Sequence, residues 1–385
     1  MRVLFTAHGA YGHLLPLVGL AHAFDDAGHD VLVAVGEDLC ETADSLGLRA
    51  VAAGLSDAAM VAEAGRRWPE VESQPPATWA VRMFTELAAP AMAADLETII
   101  RAWKPDLVVR EEGEYGAAVA AAAAGIPWVT HRWGSPSPPP TEVQRAAELV
   151  APLWKAVGLV QPTPQQLLGE AVIDPCPRSL GSHDRAALTV CPTSPTLRGG
   201  SDTPVTQERP AAYVGFGTVP LYRDRPGVIA KAVEALLLAG FEAVVVTTPD
   251  AGLAATLRAL GGERVHVTAW AALPDLLPAC EVVISHGGAG TVLSALTAAV
   301  PLVLLPSGSP SQLRMTEACL RRGVAQRPDD GGASIATLRA AIEEVVAGER
   351  FRHAARDVAA EIAAMPAPEQ VVHVLEELAP ARPRR

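Results

Sequence analysis

Three groups of residues in this chain have the types and spacing to do chemistry. The first is Ser285-His286-Gly287-Gly288-Ala289-Gly290-Thr291. It lies between the apolar run Val282-Val283-Ile284 and a segment where Ala289, Val292, Leu293 and Leu296 recur at helical spacing. A strand that turns through glycines into a helix exposes bare backbone N–H groups at the positive end of the helix dipole. Such a stretch should hold an anion, typically a phosphate. His286 and Thr291 add a ring donor and a hydroxyl to the same rim. The second group is His13, which opens a helix after the strand Arg2 to Thr6. Imidazole can take a proton near neutral pH, and a helix N-terminus is expected to lower its pKa and keep it neutral. The third is the acidic pair Glu111 and Glu112, just past the strand Asp106 to Val109. Either can orient the imidazole, as in any His–carboxylate pair.

The elements that must position these groups alternate as strand and helix. Strands are expected at 2–6, 31–35, 106–109, 126–130 and 187–190, then at 211–216, 242–247, 264–267, 281–284 and 301–305. Helical patterns fill the intervals, and ligands of open α/β sheets bind at the C-terminal ends of the strands. Residues 192–210 are rich in Pro, Ser, Thr and Gly, and the alternation restarts after them. The expected fold is therefore α/β: two doubly wound Rossmann-like domains facing a cleft. Residues 1–195 form an N-terminal domain, 196–210 a linker and 211–365 a C-terminal domain. Residues 366–385 hold a last helix, with Val371, Val374, Leu375 and Leu378 on one face, that packs back on the N-terminal domain. Ser135-Pro136-Ser137-Pro138-Pro139-Pro140 is expected to be an exposed, mobile loop. Six of the seven tryptophans lie in the N-terminal half. Between Gly54 and Pro90 the strand–helix pattern weakens; Trp68 and Trp79 there, and Trp133 beside the proline loop, are placed to line a pocket for a flat or greasy ligand.

Composition removes several function classes. The net charge of −12 offers nothing to draw in a nucleic acid or an anionic membrane. The five cysteines are scattered without a CxxC pair, which fits free thiols in a reducing cytoplasm rather than a disulfide framework or a zinc site. No run is long and apolar enough for a transmembrane helix, and the N-terminus reads as a strand rather than a signal peptide. The chain has no GxxxxGK[ST], no complete GxGxxG after the first strand, no GxSxG and no HExxH. It has no Asp-x-Asp either, so a bound pyrophosphate is expected to rest on helix ends and neutral donors, with no metal.

Taken together, HGGAGT at 286–291, GHLLPLVGLAHAFDDAGHDV at 12–31 and PDLVVREEGEYGAAVAAAAAGIP at 105–127 resemble a known family along essentially the whole chain. It is the family of GT-B glycosyltransferases that move sugars from nucleotide donors to small lipophilic acceptors, and the chain is most similar to actinomycete enzymes that decorate antibiotic aglycones. The resemblance implies that HGGAGT is the donor-pyrophosphate motif and His13 the catalytic base. Counting from Tyr115, it places the dyad carboxylate at Glu111, where the family carries aspartate. Trp270 resembles the aromatic that stacks on the nucleobase, and Gly217-Thr218 the turn that approaches the phosphates. Ser311-Gln312 occupies the sugar-binding Asp-Gln position, and the usual downstream Asn is Met315. A serine accepts hydrogen bonds from a sugar diol less strongly than a carboxylate, which points to a deoxygenated or amino sugar.

The function this implies is an inverting, metal-independent glycosyltransferase. It would move a deoxysugar from a nucleotide diphosphate donor, TDP-linked by the resemblance, to a hydroxyl of a lipophilic aglycone bound in the N-terminal domain. No cofactor beyond the nucleotide sugar is expected, and a homodimer is compatible with this reading. Two other readings are a nucleotide-sugar epimerase or hydrolase on the same scaffold, and a non-catalytic partner of another transferase. The first calls for acidic residues at the sugar without a greasy pocket. The second calls for a lost base or a spoiled phosphate motif.

Overall fold

The computed structural model describes residues 1–69, 76–181, 187–195, 211–218, 225–332 and 334–378. The expected linker at 196–210 lies outside them, as do residues 379–385 of the C-terminal segment. The chain divides into two compact units. One holds Met1–Cys176, Ser182–Thr193 and Met365–Arg385; the other holds Pro177–Gly181 and Ser194–Ala364.

The first unit is built on a seven-stranded parallel sheet in the order β3-β2-β1-β4-β5-β6-β7. The strands are β1 (Arg2–Thr6), β2 (Asp30–Val35), β3 (Ala50–Ala52), β4 (Leu107–Glu111), β5 (Trp128–His131), β6 (Val172–Asp174) and β7 (Leu188–Thr189). Residues Val3 to Phe5 and Leu107 to Val109 are fully buried, as expected for central strands covered by helices on both faces. β1 and β4 pair in parallel with Thr6 opposite Arg110, and β4 pairs β5 with Glu111 opposite His131. That register sets the residues just past these strands side by side at one sheet edge.

The second unit carries a six-stranded parallel sheet in the order β10-β9-β8-β11-β12-β13. Its strands are β8 (Ala211–Gly215), β9 (Ala243–Thr247), β10 (Val265–Thr268), β11 (Cys280–Ser285), β12 (Leu302–Leu304) and β13 (Ala325–Gln326). Both sheets are doubly wound, with the chain reversing direction next to β1 and β8, where open α/β sheets place ligands.

The structure corrects two expectations. Ser135 and Pro136 are buried rather than exposed, because the loop after β5 is pinned from below. Arg132 donates to Asp174 Oδ2 at 3.0 Å and to Ser137 Oγ at 2.6 Å. Pro140 then begins the helix Pro140–Ala156, a first-turn position where proline costs no hydrogen bond. The last helix, Pro368–Leu378, buries Val371, Val372 and Leu375, while Val374 and Leu378 are exposed. Its buried face packs on helix Tyr11–Asp26 of the first unit, with His29 Nε2 3.0 Å from Glu376 Oε1.

Candidate active site

In the first unit His13 lies in the first turn of helix Tyr11–Asp26, after the β1 turn. Its Nδ1 is 2.8 Å from Oε1 of Glu111, the last residue of β4. Glu112 is turned away and accepts from the Trp133 backbone N–H at 3.2 Å, so the pair that the residues left open is His13–Glu111. The other Glu111 oxygen, Oε2, accepts from Gly113 N–H at 2.6 Å and from the Trp133 indole N–H at 2.6 Å. With Nδ1–H given to the carboxylate, the imidazole keeps its lone pair on Nε2. Among the described residues Nε2 has no hydrogen-bond partner, and the side chain is 15% exposed while that of Glu111 is 1% exposed.

Burial opposes the protonated imidazole of His13. The Glu111 charge and hydrogen bond, followed by Asp57 and Glu112, outweigh it, and its pKa is raised above 6.5. This corrects the expectation that the helix end would lower it: a charged carboxylate in direct contact exceeds a dipole's partial charge. Burial also opposes the Glu111 anion, but His13 and the Gly113 N–H hold its carboxyl well below the usual range.

Sequence reasoning missed four residues here. His8 is buried and its Nε2–H donates to Gly113 O at 2.9 Å. Burial pushes its pKa down to about 4, so it stays neutral beside His13. Phe84 stacks on His8 with centroids 5.1 Å apart and lies 5.4 Å from His13. Arg110 is fully buried and donates to the carbonyls of Glu111, Glu112, Glu114 and Leu167 at 2.9–3.2 Å, shaping the turn that presents Glu111. Glu114 accepts from Thr6 Oγ1 at 2.8 Å and from Gly116 N–H at 2.6 Å, tying that turn to β1 and to helix Gly116–Ala124. Burial pushes its carboxyl up to about 7. A signal was present: an arginine inside the apolar strand Leu107–Glu111 must find buried partners.

Trp133 stands edge-on to His13, with centroids 4.8 Å apart. Trp68 and Trp79 are partly buried and pack on the cluster of Met60, Ala64, Met83, Leu87 and Ala88, which Phe84 also joins. Arg82 covers the Trp68 ring at 4.4 Å.

In the second unit β11 ends at Ser285, and helix Ala289–Thr297 begins at Gly288 with no side-chain cap and no acidic residue in its first turn. Among the described residues its leading N–H groups, including those of Gly290 and Thr291, have no side-chain acceptor at the N-terminus. The His286 ring fills a slot between two glycines. A Cβ on Gly217 would lie 2.8 Å from its Cε1, and one on Gly288 2.5 Å from its Nε2. Phe216 stacks beside it at 6.4 Å. Burial lowers the His286 pKa to about 4, so the ring is neutral. Gly287 takes φ +84, and a Cβ at Gly290 would meet open space. Thr218 follows Gly217 at the end of β8, half-buried.

Arg225, which the sequence did not single out, donates to Leu305 O at 2.9 Å and to Ser307 Oγ at 3.3 Å beside this slot. Gln312 is buried, and its Oε1 accepts from Ser307 N–H at 2.9 Å. Ser311 Oγ lies 3.0 Å from Ser309 Oγ, and Met315 is fully buried. Trp270 follows β10 half-buried, its carbonyl accepting from Thr268 Oγ1 at 2.8 Å. Among the described residues no group of three or more His, Cys, Asp or Glu side chains could hold a metal ion.

Comparison with known proteins covers both units. The family model described as erythromycin biosynthesis protein CIII-like, N-terminal domain, matches residues 22–220, and its C-terminal counterpart matches residues 234–378. The chain is 30% identical to the elloramycin glycosyltransferase ElmGT of Streptomyces olivaceus, over 96% of both chains. It is 29% identical to the L-demethylnoviosyl transferase of Streptomyces niveus, over 97% of both. The crystal structure of the Streptomyces sp. SF2575 glycosyltransferase SsfS6 complexed with thymidine diphosphate superposes with a TM-score of 0.79 at 26% identity, covering 98% of this chain and 99% of that one.

Proposed function

The chain belongs to the erythromycin CIII-like family of antibiotic glycosyltransferases, and on that premise we propose that it is an inverting enzyme that moves a deoxysugar from a TDP-linked donor to a hydroxyl of a lipophilic aglycone. The observation that carries the proposal is the His13–Glu111 contact at 2.8 Å, which leaves Nε2 as the basic nitrogen at a ligand-binding sheet edge.

The acceptor hydroxyl loses its proton to His13 Nε2 as its oxygen attacks the anomeric carbon from the face opposite the diphosphate. The carbon–oxygen bond to the diphosphate breaks, and its electron pair leaves with that group. Glu111 stabilises the imidazolium. The bare start of helix Ala289–Thr297, with His286 and Thr291, takes up the charge growing on the diphosphate, and Gly217-Thr218 lets its oxygens approach the backbone. Trp270 stacks on the nucleobase; Ser311 and Gln312 face the sugar. The first unit binds the acceptor, with Trp68, Trp79 and Trp133 among its apolar walls. The second unit binds the donor.

The net charge of −12 and five free thiols support a cytoplasmic enzyme that binds no nucleic acid. We also propose that the protein is a homodimer, which light scattering in solution tests. No helix of the described residues is long and apolar enough to cross a membrane.

The test is diphosphate release with a TDP-linked donor and a hydroxyl acceptor. General-base catalysis is worth about 10²–10⁴-fold, so His13→Ala should lose about that much. A variant that keeps near-full activity overturns the base assignment. An isomerised nucleotide sugar in place of a glycosylated product favours the epimerase reading.

A further inference from the structure

We propose that Trp133 is a positioning residue of the His13–Glu111 pair: its indole N–H fixes the carboxylate and sets the pH at which His13 gives up its proton. The inference rests on the reading of His13 as the base. It goes beyond a wall for the acceptor, because a wall needs only the ring.

The geometry is specific. The indole N–H reaches Glu111 Oε2 at 2.6 Å, and Gly113 N–H reaches the same oxygen at 2.6 Å, while Oε1 takes His13 at 2.8 Å. Both oxygens are engaged, so the carboxylate cannot rotate away from the imidazole. The indole is itself held. Its ring lies flush on Gly113, where a Cβ would come within 2.7 Å of Cζ2. Its backbone N–H is bound by Glu112, and the preceding Arg132 is locked to buried Asp174. A loop pinned this firmly presents its N–H at one angle.

The groups facing His13 explain why such a donor matters. Glu111 at the end of β4, Glu112 in the turn after it and Asp57 from helix Asp57–Arg67 all favour the protonated ring. His8, from the turn after β1, lies edge-on at 5.5 Å and is neutral; Phe84 carries no charge. A hydrogen bond to the Glu111 carboxylate is strongest when the imidazole is neutral and the anion uncompensated. The indole therefore stabilises the base form most and counteracts the surrounding acids.

The test is an NMR titration of the His13 ring in the full-length protein, read beside the pH dependence of turnover. Trp133→Phe keeps a ring and removes the N–H. Its His13 midpoint is expected to move up by about half a pH unit or more. Its turnover at neutral pH should fall about 3-fold or more and recover at alkaline pH, with the acceptor KM within about 2-fold of wild type. An unchanged midpoint with a raised acceptor KM overturns the proposal and leaves only a wall. Should the variant fail to fold, the wild-type indole N–H resonance decides. It is expected to shift with the His13 midpoint, and a resonance that ignores that midpoint overturns the proposal. Retained activity in His13→Ala would remove the base reading, while the ring titration still tests the Trp133 contact.

Discussion

His13 and Glu111 are 98 residues apart in the chain and 2.8 Å apart in space. Two facts bring them together. β1 and β4 are adjacent and parallel with Thr6 opposite Arg110, and Arg110 folds the following turn back under its own strand. An imidazole held by a buried carboxylate is the outcome, and its titration is open to measurement.

His13 has its pKa raised above 6.5, so the protonated ring dominates at low pH and the base form grows as pH rises. The expected kcat/KM climbs with pH through a midpoint above 6.5. Glu111→Gln leaves burial opposed only by Asp57 and Glu112; the midpoint should move down and the plateau fall about 10²-fold. A pH–rate profile whose acid limb does not move would remove Glu111 as the cause. The same shift means His13 favours folding below about pH 6.5, a contribution lost as pH rises through its raised midpoint.

Arg110 is fully buried, and its guanidinium serves four backbone carbonyls. Arg110→Met strands those acceptors and should cost about 3–5 kcal/mol in urea unfolding. A loss under about 1 kcal/mol would mean the 111–114 turn is held by other contacts.

The slot around His286 predicts a contrast between two glycines. Gly288→Ala puts a methyl 2.5 Å from the His286 ring and should displace it, weakening thymidine diphosphate binding by about 10-fold or more in calorimetry. Gly290→Ala points into open space and should leave the melting temperature of the unliganded protein unchanged. Equal binding by wild type and Gly288→Ala would show that the ring position is immaterial to the donor.

Ser311 stands beside Ser309 at the start of helix Pro310–Arg322. Ser311→Asp supplies a carboxylate acceptor and should raise the preference for a fully hydroxylated hexose donor over a deoxysugar donor by about 10-fold. Competition between the two donors measures it, and an unchanged ratio places sugar choice elsewhere.

What could be read in the chain is what is local. The glycine turn at 285–291 is contiguous with the apolar run before it and the helical pattern after it, so strand, glycines and helix declare themselves in one short stretch. The buried strands declare themselves by their apolar runs, and the doubly wound fold follows from the alternation. The sequence alone also placed a histidine at the first helix and two acids past β4.

Only the tertiary structure decided which acid faces the histidine. A one-residue step along an extended chain turns a side chain to the other side, and only the pairing of β1 with β4 says which side is occupied. The same holds for Trp133. Its ring read as apolar surface, but its N–H lands on Glu111 because β5 lies beside β4 and Arg132 anchors the loop. The direction of the His13 shift was likewise out of reach of the chain: a helix end acts locally, whereas the carboxylate that outweighs it arrives from 98 residues away.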